Sequence, residues 1–168
     1  SDAYKAVRKP RRLEAEIIRD NALAVSELLD EKMYGAGTLN EGMLRRSIYF
    51  MIKRTKLVPV MQLFDWPDSL TSLGRRSVTT TSSQALIFIN DPNMRRMAEG
   101  FAKRLSGAAD PLTEAYRIAY GRLPSDGELA QARDFLAAQQ KSHGGDKHKA
   151  LADFCGAIMS ANEFIYIE

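Results

Sequence analysis

Two Asp-Pro steps, "NDPNM" at residues 90–94 and "ADPLT" at 109–113, constrain what this chain can fold into more than any other feature. Each places a carboxylate where it can accept from the free amides of a first helical turn. The proline that follows has a fixed φ and no N–H, which suits the first helical position. They predict one helix from Asp91 to about Leu105 and another from Asp110 to Gly121, where glycine supplies the stop. "PSDGELAQARDFLAAQQ" repeats the device with Ser125 and Glu128 at capping-box spacing. Leu129, Ala132, Phe135 and Leu136 form the expected buried stripe of that helix. A last helix is expected from about His148 to Ser160, with Leu151, Phe154, Cys155 and Ile158 facing inward at helical spacing. "KSHGGDK" reads as a solvated loop, and the tail "NEFIYIE" as either a further turn or an extended strip.

The N-terminal half is less strongly punctuated. Leu13 to Leu29 carries a wide apolar stripe, of the kind needed by a helix packed on two neighbours, and the glycines of "MYGAGTLNEG" end it. Between Ser47 and Ile52, β-branched and aromatic residues set a short strand against a helix. Pro59 and Pro67 bracket "VMQLFDW", which predicts a short helix with Pro59 in its first turn. The chain through Arg76 reads as irregular structure wrapping a helical core. Ser82 or Ser83 is the expected cap of a helix running through Gln84 to Ile89. The fold class that results is all-α: an irregular bundle of about six helices in a single domain spanning 1–168, with a long non-regular wrapping segment. No strand–helix alternation supports a parallel sheet, and the echo between "RRSIY" at 45 and "RRSVT" at 75 is too short to indicate a duplication.

Composition excludes some functions. The 168 residues are 45% hydrophobic and carry a formal charge of +3, which permits a core but makes no electrostatic case for nucleic acid. Four Arg-Arg pairs occur, at 11–12, 45–46, 75–76 and 95–96. Acidic residues follow most of them closely, so a continuous basic face is not expected. No apolar run reaches membrane-spanning length. "SDAYKAVRKPRR" has no hydrophobic signal segment, so the chain is either cytosolic or a module of a longer secreted protein. Cys155, the single cysteine, lies in an apolar helical pattern and reads as a buried, inert thiol.

The catalytic inventory is sparse. There is no Gly-x-Ser-x-Gly, Walker loop or dinucleotide fingerprint. The two histidines flank a Gly-Gly loop, and His143, Asp146 and His148 fall short of an ordinary zinc ligand set, so no metal is expected. Without Cys-x-x-Cys-His the chain does not attach a c-type haem itself. Two stretches remain. In "RRSVTTTSSQALIFIND" (75–91) the hydroxyls either cap a helix or, with Arg75 and Arg76, hold an anion at its N-terminus. In "EAEIIRDN" Glu16, Arg19 and Asp20 share one side of a helix, either as a solvated face or as partners of Arg75 or Arg76 in an ion-pair network.

Five stretches in order, "RRLEAEIIRDNALAVSELLD", "RRSIYFMIKRTKLVPVMQLFDWPD", "RRSVTTTSSQALIFIND", "AYRIAYGRLPSDGEL" and "FCGAIMSANEFIYIE", resemble the planctomycete-type C-terminal domain of unknown function 1553. The resemblance runs from about Pro10 to the C-terminus. It implies a C-terminal module of a large extracytoplasmic protein, periplasmic or secreted, in which any haem sits in upstream cytochrome-c-like domains and no cofactor in this one. It maps the family's recurrent polar positions onto Glu16, Arg19, Asp20, Arg46, Arg75, Arg76, Thr80, Gln84 and Asn90. Where the family motif has proline before Gln-Ala-Leu this chain has Ser83, which favours the cap reading there.

Two functions follow as expectations. One is a non-catalytic module that docks neighbouring domains or another protein. The other is part of an enzyme that holds an anionic or carbohydrate ligand through the Arg/Thr/carboxylate set. Nucleic-acid binding is a weaker third.

Overall fold

The computed structural model describes residues 10–53, 58–67, 74, 76–79 and 81–167, except the side chains at 82 and 85. The expected all-α architecture is present. Among the described residues six helices of nine residues or more, α1 (Ala15–Val25), α3 (Ser82–Asn90), α4 (Pro92–Leu105), α5 (Pro111–Tyr120), α6 (Asp126–Ser142) and α7 (Lys147–Ser160), are joined by two short ones, α2 (Pro59–Leu63) and α8 (Asn162–Ile165). A 3₁₀ turn covers Ser47–Tyr49.

The sequence punctuation works as physical caps. Asp91 Oδ1 accepts from the amides of Asn93 and Met94 at 2.9 and 3.0 Å, and Asp110 does the same for Leu112 and Thr113. Ser125 and Glu128 complete a capping box, the Ser125 amide donating to Glu128 Oε2 at 2.7 Å and the Glu128 amide to Ser125 Oγ at 3.3 Å. Gly121 takes the left-handed conformation at φ +71°, which ends α5 without a Cβ penalty. The loop before α7 supplies a cap that the sequence reading passed over: Asp146 accepts from His148 and Lys149.

Two boundaries differ from expectation. α1 stops at Val25 rather than Leu29. The Leu28 amide donates to Leu23 O at 3.0 Å and the Glu27 amide to Ala24 O at 3.1 Å, a Schellman closure with Glu27 at φ +56°. Glutamate in the position that glycine favours conceals this stop in the sequence. α3 begins at Ser82 after Thr81, whose amide donates to Gln84 Oε1 at 3.3 Å, so Thr81 and not Ser82 or Ser83 is the cap residue. In the tail both alternatives occur. One turn of α8 is followed by β2 (Tyr166–Ile167), which pairs antiparallel with β1 (Arg11–Arg12) in the register Arg11 to Ile167 and Arg12 to Tyr166.

The core is one apolar cluster centred on α4, which packs most extensively on α7. Phe101, Ala102 and Leu105 of α4, Ala22 and Leu23 of α1, and Cys155 of α7 are all fully buried. At Gly100 the end of α1 comes close to α4: a Cβ there would lie 3.1 Å from Ser26 O and 3.0 Å from Leu28 Cδ1. Against this helical body the segments 26–53, 64–67 and 76–79 run largely without regular structure, and polar side chains fasten them to it.

Candidate functional site

The first fastening comes from α1. An aliphatic-flanked arginine on a packed helix can be buried only if its donors find acceptors. Arg19, 4% exposed, donates to Arg45 O at 3.0 Å, to Ser47 Oγ at 3.2 Å and to Met43 O. Its guanidinium lies over the Phe50 ring, 4.8 Å from the centroid. One residue on, Asp20 Oδ1 accepts from both the amide and the hydroxyl of Ser47 at 2.7 Å, while Arg46 Nε stands 3.6 Å from the other oxygen. Arg19 and Asp20 together pin residues 43–47 to α1 and position the 3₁₀ turn. The strand alternative for 47–52 loses because Asp20 captures the Ser47 amide at the turn's start; only Phe50 makes an isolated bridge, with Thr38.

The second fastening is a bidentate pair. Arg76 Nη1 and Nη2 donate to the two Glu16 oxygens at 2.9 Å, and Nη1 also reaches Glu14 at 3.2 Å. Partial burial opposes ionisation of Glu16. The Arg76 hydrogen bonds, with help from the Glu16 amide and the Trp66 indole, overcome that and hold the carboxyl below its ordinary pKa. The Glu16 partner is therefore Arg76, and Asp20 belongs to the separate set around Ser47.

The third group contains residues that the sequence reading missed. Arg12, 4% exposed, donates to Asp65 Oδ2 at 2.5 Å, Thr79 O at 2.6 Å and Phe64 O at 3.1 Å. Asp65, at φ +60°, also accepts from the Thr79 amide and hydroxyl, each at 2.7 Å. Burial raises the Asp65 pKa, but the Thr79 bonds and then Arg12 more than offset it, so the carboxyl stays below its ordinary range. Gln84 joins the same set, with Nε2 donating to Leu63 O at 2.8 Å and Thr79 O at 3.0 Å. Arg12 carried one signal, its place in an Arg-Arg pair ahead of an apolar helix. Thr79 lay in the hydroxyl run already singled out, though as a cap or anion ligand and not as a partner of Asp65, and Asp65 carried no signal that distinguished it from other loop residues.

Of the nine positions marked in the sequence, Glu16, Arg19, Asp20, Arg46, Arg76 and Gln84 take part in these three sets. Asn90 is exposed at the end of α3 and makes no polar contact with them. Arg75 and Thr80 lie outside the described residues. At the loop around α7, His143 Nε2 stands 2.6 Å from Asp153, Asp146 is engaged as a cap, and among the described residues no group of three or more His, Cys, Asp or Glu could hold a metal. No helix among the described residues is long and apolar enough to cross a membrane.

Over the first two sets lies an open cleft of about 500 Å³. Glu16, Asp20, Arg46 and Arg76 form its polar parts, and Ile17, Ile48, Ile52 and Trp66 its apolar ones. Ile48 is 77% exposed and Ile52 67%.

These features define a class: a helical module whose non-regular segments are locked onto the bundle by arginine–carboxylate and arginine–carbonyl contacts. The chain belongs to the family described as PSD1, protein of unknown function (DUF1553), whose model matches residues 1–136. The match ends inside α6, so the last of the five resembling stretches, 154–168, falls beyond it. Neither the curated proteins nor the solved structures contain a match to this chain.

Proposed function

We propose that this chain is a non-catalytic docking module that receives a neighbouring domain of a longer, extracytoplasmic protein in the cleft between α1 and the 46–52 segment. The observation that carries this reading is the gathering of Ile17, Ile48 and Ile52 as solvent-facing aliphatics in one cleft. Clustered apolar surface with a polar rim is characteristic of surfaces that another protein covers. The polar residues beneath are already committed. Glu16 is bound by Arg76 and held ionised, and Asp20 is saturated on one oxygen by Ser47. A general acid or base needs a carboxyl free to exchange its proton near the working pH; Glu16 is held below its ordinary pKa by Arg76, and Asp20 is engaged by the amide and hydroxyl of Ser47. In this reading any haem belongs to neighbouring domains, and the planctomycete-type family setting supports the extracytoplasmic placement.

The test is binding between this chain and the preceding domain of the full-length protein, each produced separately. Ile48→Asp and Ile52→Asp should abolish or strongly weaken the association while leaving the melting temperature and helical circular dichroism unchanged. Association that survives both substitutions overturns docking through this cleft.

A further inference from the structure

A cavity of about 370 Å³ opens among α3, α4, α6 and α7, on residues none of which lines the docking cleft. Small-molecule sites usually measure about 300–1,000 Å³, and the space between bundle helices is a common place for them. Two phenyl rings, Phe88 and Phe135, form apolar walls. Each ring is held by an aromatic neighbour, Phe88 edge-on by Phe64 at 5.9 Å and Phe135 by Phe154 at 6.3 Å. Ala98, Ala152 and Gly156 complete the apolar lining with little or no side chain.

Gly156 lies in the interior of α7, where glycine weakens a helix relative to alanine. Neither usual reason for a glycine applies to it. Its φ is not positive. Outside α7, a Cβ there would meet only Ala98 Cβ among the described residues, at an ordinary contact distance of 3.8 Å. Neither helix propensity nor packing gains from the missing methyl, whereas the cavity gains depth. At the rim, Arg95 and Glu99 stand one turn apart on α4, both exposed. No hydrogen bond or ion pair joins the side chain of either to another described residue. Asp153, the other carboxylate of the lining, is taken by His143 at 2.6 Å.

We propose that this cavity binds a zwitterionic aromatic α-amino acid. Its ring lies against Phe88 and Phe135 over Gly156, its carboxylate on Arg95 and its ammonium on Glu99. The apolar walls supply the affinity, through ring contacts and release of water. The rim selects the ligand. A guanidinium fork fits a carboxylate, and the neighbouring Glu99 takes the cation that an α-amino acid carries one carbon away. A simple acid would bring a second anion beside Glu99, and a simple amine a second cation beside Arg95.

The experiment follows amide correlation spectra of the isotope-labelled chain through separate titrations with L-phenylalanine, phenylpropionate and phenethylamine at constant ionic strength. Saturable shifts centred on Ala98, Phe135, Ala152 and Gly156 are expected. Phenylalanine should bind about tenfold more tightly than either singly charged compound, the difference that one charge-assisted contact makes. Arg95→Gln should remove the preference over phenethylamine, and Glu99→Gln the preference over phenylpropionate. Both residues are exposed, so both variants keep the wild-type melting temperature. Gly156→Ala should raise the melting temperature and weaken binding of all three compounds. The absence of saturable shifts, or wild-type affinity in Gly156→Ala, overturns the site. A lowered melting temperature in that variant overturns it too, because the glycine would then serve packing. Equal affinity for the three compounds overturns the zwitterion. Ile48 and Ile52 lie in the other cleft, so docking and this site can fail separately.

Discussion

Arg12 and Asp65 lie 53 residues apart in sequence and 2.5 Å apart in space. That pair, with Thr79 as third member, ties β1, the turn after α2 and the approach to α3 into one junction. The Arg12 side chain is 3% exposed and that of Asp65 14%. The pair is worth little against a well-packed apolar substitute, yet removing one partner leaves a charge uncompensated in a largely dry setting.

Arg12→Met should therefore cost about 3 kcal/mol of folding stability, the usual penalty for breaking a buried pair from one side. Denaturant unfolding followed by circular dichroism measures it. The double variant Arg12→Met with Asp65→Asn should recover a substantial part, because asparagine removes the uncompensated charge while it still accepts from Thr79 and tolerates the φ of +60°. A double variant no more stable than the single one would show that the backbone bonds to Thr79 and Phe64, not the charge pair, hold the junction.

Gly100→Ala tests the close approach between the end of α1 and α4. Helix propensity alone favours alanine by about 1 kcal/mol. The added Cβ, however, would stand 3.1 Å from Ser26 O and from Leu28 Cγ. Ser26 is buried and its carbonyl belongs to the Schellman corner that ends α1, so this neighbour cannot yield easily. The expected outcome is net destabilisation of about 1–2 kcal/mol, the range for an overpacked core, seen as a lowered melting temperature. A raised melting temperature would mean that the corner moves.

What could be read from residues alone follows the range of the interactions. Caps act over three or four positions, so Asp91, Asp110, Ser125 and Glu128 were legible together with the helices that they open. The stop of α1 was not, because Glu27 occupies a left-handed position with no glycine to mark it. Glu16, Arg19 and Asp20 were recognisable as a group by helical spacing, but their partners lie elsewhere. Arg19 reaches backbone carbonyls of the 43–45 segment, which leave no signature in side-chain identity. Arg12–Asp65–Thr79 is closed entirely by tertiary contact, so no local pattern announces it. Leu129, Phe135 and Leu136 of α6 were expected to be buried but are only partly covered, since α6 packs on one edge of the bundle and of that stripe only Ala132 reaches the interior.

Cys155 should be inert in the native state. It is fully buried among the core residues of α7, and burial pushes its thiol well above the ordinary range. An aromatic disulfide reagent at pH 8 should titrate no thiol in the native protein and one per chain after unfolding. Fast native labelling would mean that α7 opens locally far more readily than its packing on α4 implies.

The pH dependence of stability should be set by carboxylates held below their ordinary pKa, with Glu128 the clearest. Hydrogen bonds from Arg122 first, then from the Ser125 amide and hydroxyl, lower Glu128 to about 2. Arg122 also pairs with Glu163 of α8 at 2.6 Å, so it links α6 to the C-terminal turn. Glu16 and Asp65 are shifted in the same direction. The sign follows from which state takes the proton first. As pH falls below about 4.3, the unfolded chain binds protons that the folded chain still refuses, so the fold loses stability. Stability should be flat from pH 7 to about 5, then decline through pH 4 and 3 until the folded-state carboxylates themselves titrate near 2. Arg122→Gln removes the donor that depresses Glu128. It should lower stability at pH 7 and flatten the decline below pH 4, so that the two curves converge in acid. Parallel curves would show that Arg122 acts through its packing on Tyr116 and Tyr120 rather than through charge.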